Sequence, residues 1–144
     1  MARWGKVNFR QLQKLQKKME KLDKVDFDKF CEEMAKELAA RLLAKVIKRT
    51  PVGQYEDGTV GGTLRRGWTI DANVVRKGDI YEIEVFNPVE YSQYVEFGHR
   101  TRNHQGWVNG RFMMTISAQE IENLAPKLIE KKLVKLLGEA FNGD

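Results

Sequence analysis

Apolar positions fall into three kinds of pattern along the chain. In "FRQLQKLQKKMEKL", Leu12, Leu15, Met19 and Leu22 recur three and four residues apart, a narrow apolar stripe on a basic helix that needs a partner to cover it. In "FDKFCEEMAKELAARLLAKVIKR", Phe27, Phe30, Met34, Leu38, Leu42 and Val46 keep helical spacing and predict a long core-facing helix. Asp26 precedes it as an N-cap, its acids gather early and its bases late, and Pro51 ends it. A last helix carries Ile121, Leu124, Leu128, Leu133, Leu136 and Leu137 on one side. Ser117 and Glu120 read as its capping box, and Pro126 is expected to kink or split it.

The middle of the chain changes period. "DIYEIEVFN" alternates Ile80, Glu82 and Glu84 with Tyr81, Ile83 and Val85. With "TLRRGWTIDANVV" it predicts an antiparallel hairpin turning at Lys77-Gly78, with Trp68 and Ile70 on the apolar side. "NPVEYSQYVEFG" returns to a short helix, with Asn87 as cap, Pro88 at the first position, Glu90 in a capping box and Gly98 as the stop. Tyr91, Tyr94, Val95 and Phe97 on that helix read as packing residues. "TPVGQYEDGTVGGT" and "HRTRNHQGWVNG" read as loops, and "RFMMTI" as a strand or an extended lead-in. The predicted class is α+β: a long N-terminal helix and a C-terminal helix packed on a small antiparallel sheet, with a short helix between strands. Residues 1–24 form a basic helical arm and residues 25–144 a single domain.

Charge sharpens this division. Of the net +5, residues 1–24 hold eight Lys or Arg against two acids, and the remaining chain is close to balance. Arg10, Lys14, Lys17, Lys18 and Lys21 in the arm are candidates for contact with DNA or an acidic partner. A second excess, Arg100, Arg102 and Arg111, meets no acid until Glu120.

Candidate chemistry is sparse. Cys31 is the sole cysteine, so no disulfide forms within one chain, and no base stands near it to activate the thiol. His99 and His104 are five apart in a glycine-containing loop, a poor metal spacing with no third ligand in fixed relation. Glu96 is expected to pair with Arg100 or Arg102. The glycines at 53–62 neither follow a strand nor precede Lys-Ser/Thr, which excludes a phosphate loop. No nucleic-acid readout motif occurs, so any DNA contact would be to phosphate and salt-sensitive. No apolar run reaches membrane-spanning length, and the first residues lack the apolar core of a leader. The expectation is a protein without catalysis, cofactor or metal, and subunit contact ranks above DNA contact for the basic loop.

Several stretches in order, "KRTPVG", "GGTLRRGWTI", "VEYSQYVEFGHRTR" and "GWVNGRFMMTIS", resemble the small neck, or tail-completion, proteins of tailed bacteriophages and prophages. The resemblance runs from about Phe27 to Phe141. It departs at "GQYEDGTVG", a longer insert than many relatives carry, which is more similar to the contractile-tail form. It implies a structural virion protein, made in the host cytoplasm, that forms a ring of copies of itself, usually sixfold. A tail terminator or tail tube protein would lie on one side and a head-side connector on the other. Thr50, Pro51, Gly62, Leu64, Tyr91, Tyr94 and Gly98 then serve as scaffold and interface. Arg65, Arg66, Glu96, His99, Arg100, Arg102, His104, Trp107 and Arg111 become candidate subunit contacts. The rival readings are a tail terminator ring protein and a non-specific DNA-binding module.

Overall fold

The computed structural model describes residues 13, 14, 17, 20–22, 25–53, 57, 58 and 60–142. The order of elements is α1 (Phe27–Arg49), α2 (Thr63–Arg66), β1 (Thr69–Ile70), β2 (Val75–Lys77), β3 (Ile80–Glu82), β4 (Val85–Phe86), α3 (Ser92–Phe97), β5 (Gly98–Arg100), β6 (Trp107–Asn109) and α4 (Met113–Asn142). Residues 13, 14, 17 and 20–22 of the arm are helical, with Lys14 and Lys17 exposed. The Lys21 ammonium donates to the Phe141 carbonyl at 3.2 Å, tying the root of the arm to the end of α4. Arg10, Lys18 and the stripe residues Leu12, Leu15 and Met19 lie outside the described residues.

Helix α1 forms as its sequence dictates. The Lys29 amide donates to the Asp26 carboxylate at 3.0 Å, satisfying one orphan donor of the first turn. Met34, Ala39 and Val46 are buried along its inner face, whereas Phe27 at the first turn stays 46% exposed. Its far end converges on Thr50, which is fully buried. The Thr50 hydroxyl donates back to the Val46 carbonyl and accepts the Trp68 indole N–H at 2.6 Å. The Thr50 carbonyl, an orphan acceptor beyond the last turn, takes two bonds from the Arg65 guanidinium at 3.1 and 2.7 Å. The Thr-Pro-Val and Gly-Thr-Leu-Arg-Arg stretches are therefore two sides of one joint. "TLRR", expected to open a strand, is instead the short helix α2, entered through Gly62 in the left-handed region at φ +99°. The Leu64 carbonyl accepts the Asn87 side-chain amide at 2.7 Å as well as the Gly67 amide at 3.1 Å.

The sheet is three separate two-stranded antiparallel pieces. Two of them form one long hairpin. Ile70 pairs with Val85 and Val75 with Glu82, so residues 71–74 oppose only 83 and 84, a bulge. The tip residues are Gly78 and Asp79, one place beyond the expected turn, with Gly78 at φ +62°. The predicted alternation holds. Tyr81, Ile83 and Val85 turn inward and Ile80, Glu82 and Glu84 outward. The Tyr81 hydroxyl donates to Asp28 of α1, and this bond to a carboxylate pushes its pKa up to about 12. Arg76 pairs with the same carboxylate at 3.0 Å and lies over the Tyr81 ring. The third piece, β5–β6, replaces an expected loop.

Helices α1 and α4 pack along each other. The expected apolar side of α4 is the half-buried one, and Pro126 does not split the helix. The Ser117–Glu120 pair is no capping box. The helix begins at Met113, Ser117 is fully buried within it, and the Arg49 guanidinium donates to its hydroxyl at 3.1 Å. The Glu120 carboxylate accepts from both Arg49 and Lys45 of α1. Those bonds, Arg49 foremost, lower its pKa from 4.5 to about 2. The ionised form is thus favoured by folding. Its contribution is fully present above 4.5 and is lost as pH falls through about 2. We expect Glu120→Gln to lower thermal stability at neutral pH, and the gap from wild type to close between pH 4.5 and 2 in a melting series. Because the carboxylate is partly solvated, added salt should narrow the gap as well.

Candidate functional site: an aromatic and cationic surface on α3 and the second hairpin

Helix α3 starts later than its sequence suggests. Asn87, expected as its cap, instead accepts the Val89 amide at 3.1 Å in a tight turn, and Ser92 is the first helical residue. Six residues allow one inward face, and the residue that takes it is Glu96, only 7% exposed. Its carboxylate accepts the amides of Met114 and Thr115 at 2.9 and 2.8 Å and the Thr115 hydroxyl at 2.7 Å. Glu96 is therefore the cap of α4. The first turn of α4 contains no acid of its own, so Glu96 also supplies the negative charge that a helix N-terminus favours. Its expected pairing with Arg100 or Arg102 does not form, and burial removes the carboxylate from the exposed surface.

The backbone completes this junction in the opposite sense. The amides of Arg111 and Phe112 donate to the Val95 and Glu96 carbonyls at 2.7 and 3.1 Å, closing the end of α3. The crossing is too tight for side chains. A Cβ on Gly98, at φ +88°, would overlap the Val108 carbonyl, and one on Gly110 would overlap the Glu96 carbonyl.

With Glu96 inward, the aromatics face out. Tyr94 and Phe97 are each 61% exposed and Tyr91 44%, so these residues are not the packing residues their spacing predicts. Trp107 and Val108 of β6, and Phe112 after it, extend the same exposed apolar region. A groove of about 520 Å3 lies among Tyr91, Tyr94, Val95, His99, Arg100 and His104. The His99 ring stands edge-on to Tyr94, 6.0 Å between centroids. The hairpin tip is held by its own bonds. Thr101 and Gly106 exchange two, and Asn103 accepts the Gln105 amide and the Thr101 hydroxyl proton. The segment expected as a loop is thus a preformed hairpin. Arg102 is exposed at its tip, and neither its guanidinium nor that of Arg100 has a carboxylate partner among the described residues.

The remaining candidates scatter. Arg65 faces Thr50 within the domain. Arg66 is exposed and donates to the Gly61 carbonyl at 3.1 Å. Arg111 is exposed beside the crossing, and Lys14 and Lys17 lie on the arm. Among the described residues, no group of three or more His, Cys, Asp or Glu could hold a metal ion. None of the described helices is long and apolar enough to cross a membrane.

A family model for HK97-gp10-like bacteriophage tail components matches residues 13–98, more than half of the chain. The chain belongs to this family. It is a bacteriophage tail component, and that places it in the virion. No curated protein and no solved structure matches it. The matched span begins within the residues expected to form an arm and ends at Gly98. In this tail component the part of the sequence resemblance that lay in "GWVNGRFMMTIS" and the final helix falls beyond that span.

What sequence reasoning missed was the aromatic stripe. Tyr91, Tyr94 and Phe97 are spaced three apart, a signal that fits either face of a helix. Only the identity of the inward residue decides between them, and that residue is an acid.

For the junction, Glu96→Ala should cost about 1–2 kcal/mol, since it removes a cap and leaves two part-buried amides without their acceptor. Glu96→Gln should recover part of the loss by keeping an acceptor in place. Denaturant unfolding of the three proteins measures both.

Proposed function

We propose that this tail component is a structural, non-catalytic protein of the tail end that meets the head. In this reading it forms a ring with copies of itself, sixfold in symmetry. The ring contacts the tail terminator or tail tube protein on one face and a head-side connector on the other. The observation that carries the reading is the exposed surface on α3 and β5–β6. Three aromatic rings, a tryptophan and unpaired arginines are displayed together by a rigid junction. Exposed patches rich in Tyr, Trp and Arg mark protein contacts, where these residue types supply most of the binding energy. His99, Arg100, Arg102, His104, Trp107 and Arg111 are its contact residues. The arm, with Arg10, Lys14, Lys17, Lys18 and Lys21, faces the DNA channel or an acidic partner. Assembly takes place in the host cytoplasm.

Loss of the gene separates this reading from its closest rival. Tails of normal length that fail to join heads support completion, whereas overlong tails identify a terminator. A steep fall in DNA affinity with salt in the isolated protein would instead favour a DNA-binding module.

Two outcomes are expected. The purified chain is monomeric by light scattering and assembles on addition of tails lacking it; indifference to such tails counts against the proposal. Arg100→Glu with Arg102→Glu leaves the melting temperature within a few degrees of wild type, because neither side chain has a partner to lose. The same double change blocks the formation of complete particles, scored by electron microscopy.

A further inference from the structure

The groove on α3 and β5 has a defined chemistry. It is lined by Tyr91, Tyr94 and Val95 together with His99, Arg100 and His104, and no carboxylate lines it. An occupant must bring apolar side chains flanked by acids. The same chain carries such a surface elsewhere. Alternation along β3 turns Ile80, Glu82 and Glu84 outward, and the register sets Val75 beside Glu82 on that face. Ile80 is 61% exposed and Val75 49%. Lys77 pairs with Glu82 at 3.3 Å, but the Glu84 carboxylate has no partner among the described residues. On the other side, Arg100 and Arg102 lack carboxylate partners among the described residues. No hydrogen bond or ion pair joins the two surfaces within the chain, among the described residues.

We infer that the groove receives the outer face of the β2–β3 hairpin from a second copy of this chain. Ile80 enters between Tyr91 and Tyr94, and Glu84 meets Arg100. Two different patches then meet head to tail, the type of contact that closes into a ring when the rotation per subunit allows. Apolar insertion supplies the affinity, and the charges fix the register. This inference rests on the ring reading above and names the surfaces that build it.

The test uses assembled particles carrying Cys31→Ser with Tyr94→Cys and Ile80→Cys. Mild copper-catalysed oxidation should give a covalent ladder in multiples of the chain, and either cysteine alone should give no ladder. An amine-reactive cross-linker on the same particles reports proximity of copies regardless of contact. Multimers with that reagent but none with the cysteine pair overturn this contact and leave the ring standing. Monomer alone with both reagents overturns the ring itself. A disulfide from Tyr94→Cys to another tail protein assigns the groove to that protein and also overturns the inference. Charge exchange supplies a second measurement, useful where the cysteine variants fail to enter particles. Arg100→Glu or Glu84→Arg alone should lower incorporation about tenfold, as an unpaired or repelling charge does, and the two together should restore most of it. Absence of restoration counts against the pairing.

Discussion

One buried carboxylate organises the second half of this molecule. Glu96 ends one helix and caps the next, and the backbone after β6 returns two amides to the helix that carries it. Each half of the junction satisfies orphan groups of the other, and neither set would be satisfied alone. The bonds are local in space yet join residues 18 and 19 apart in sequence. They set the angle at which α4 leaves α3, and so the line along which α4 meets α1. The Arg49–Glu120 and Lys45–Glu120 pairs then fasten α4 against α1 at a second point.

The same carboxylate decides what the protein shows to its surroundings. At about 100° per residue, Tyr94 lies roughly 160° around the helix from Glu96, and Tyr91 about 140° the other way. Burying the acid therefore forces both tyrosines out. Exposure of the rings is the geometric consequence of a capping requirement. The apolar area is not left over from a poorly packed core. The preformed hairpin extends the surface at little further cost in order, since its tip is already bonded to itself.

Sequence made α1 legible because everything that fixes it is local: an Asp cap, a run of apolar residues at helical spacing and a proline stop. The β2–β3 alternation was legible for the same reason. What failed was non-local. Ser117 and Glu120 have the spacing of a capping box, but tertiary ion pairs claim the glutamate and burial claims the serine. The true cap arrives from another element, and no short window contains it. Strands β5 and β6, at three residues each, are too short to display a period. Their glycines, which in sequence look like those of a loop, mark a close backbone crossing. Helical spacing predicts packing for the aromatics because aromatic residues usually bury. The rule failed on a helix too short to have both an acid and a ring on its one inner face.

The groove draws on two kinds of side chain. Tyr91, Tyr94 and Val95 line it from α3 and the turn before it, and His99, Arg100 and His104 line it from the second hairpin. Rings and charges do different physical work. Aromatic area contributes affinity that tolerates many apolar occupants, while charges at a rim reject the wrong partner and set register. In the proposed contact, a change in the hairpin would alter which surface is accepted without disturbing the helix that provides the area. The constraint runs the other way for the junction. Because Glu96, Gly98 and Gly110 hold the helix and the hairpin in one unit, a change in any of these three displaces rings and charges together.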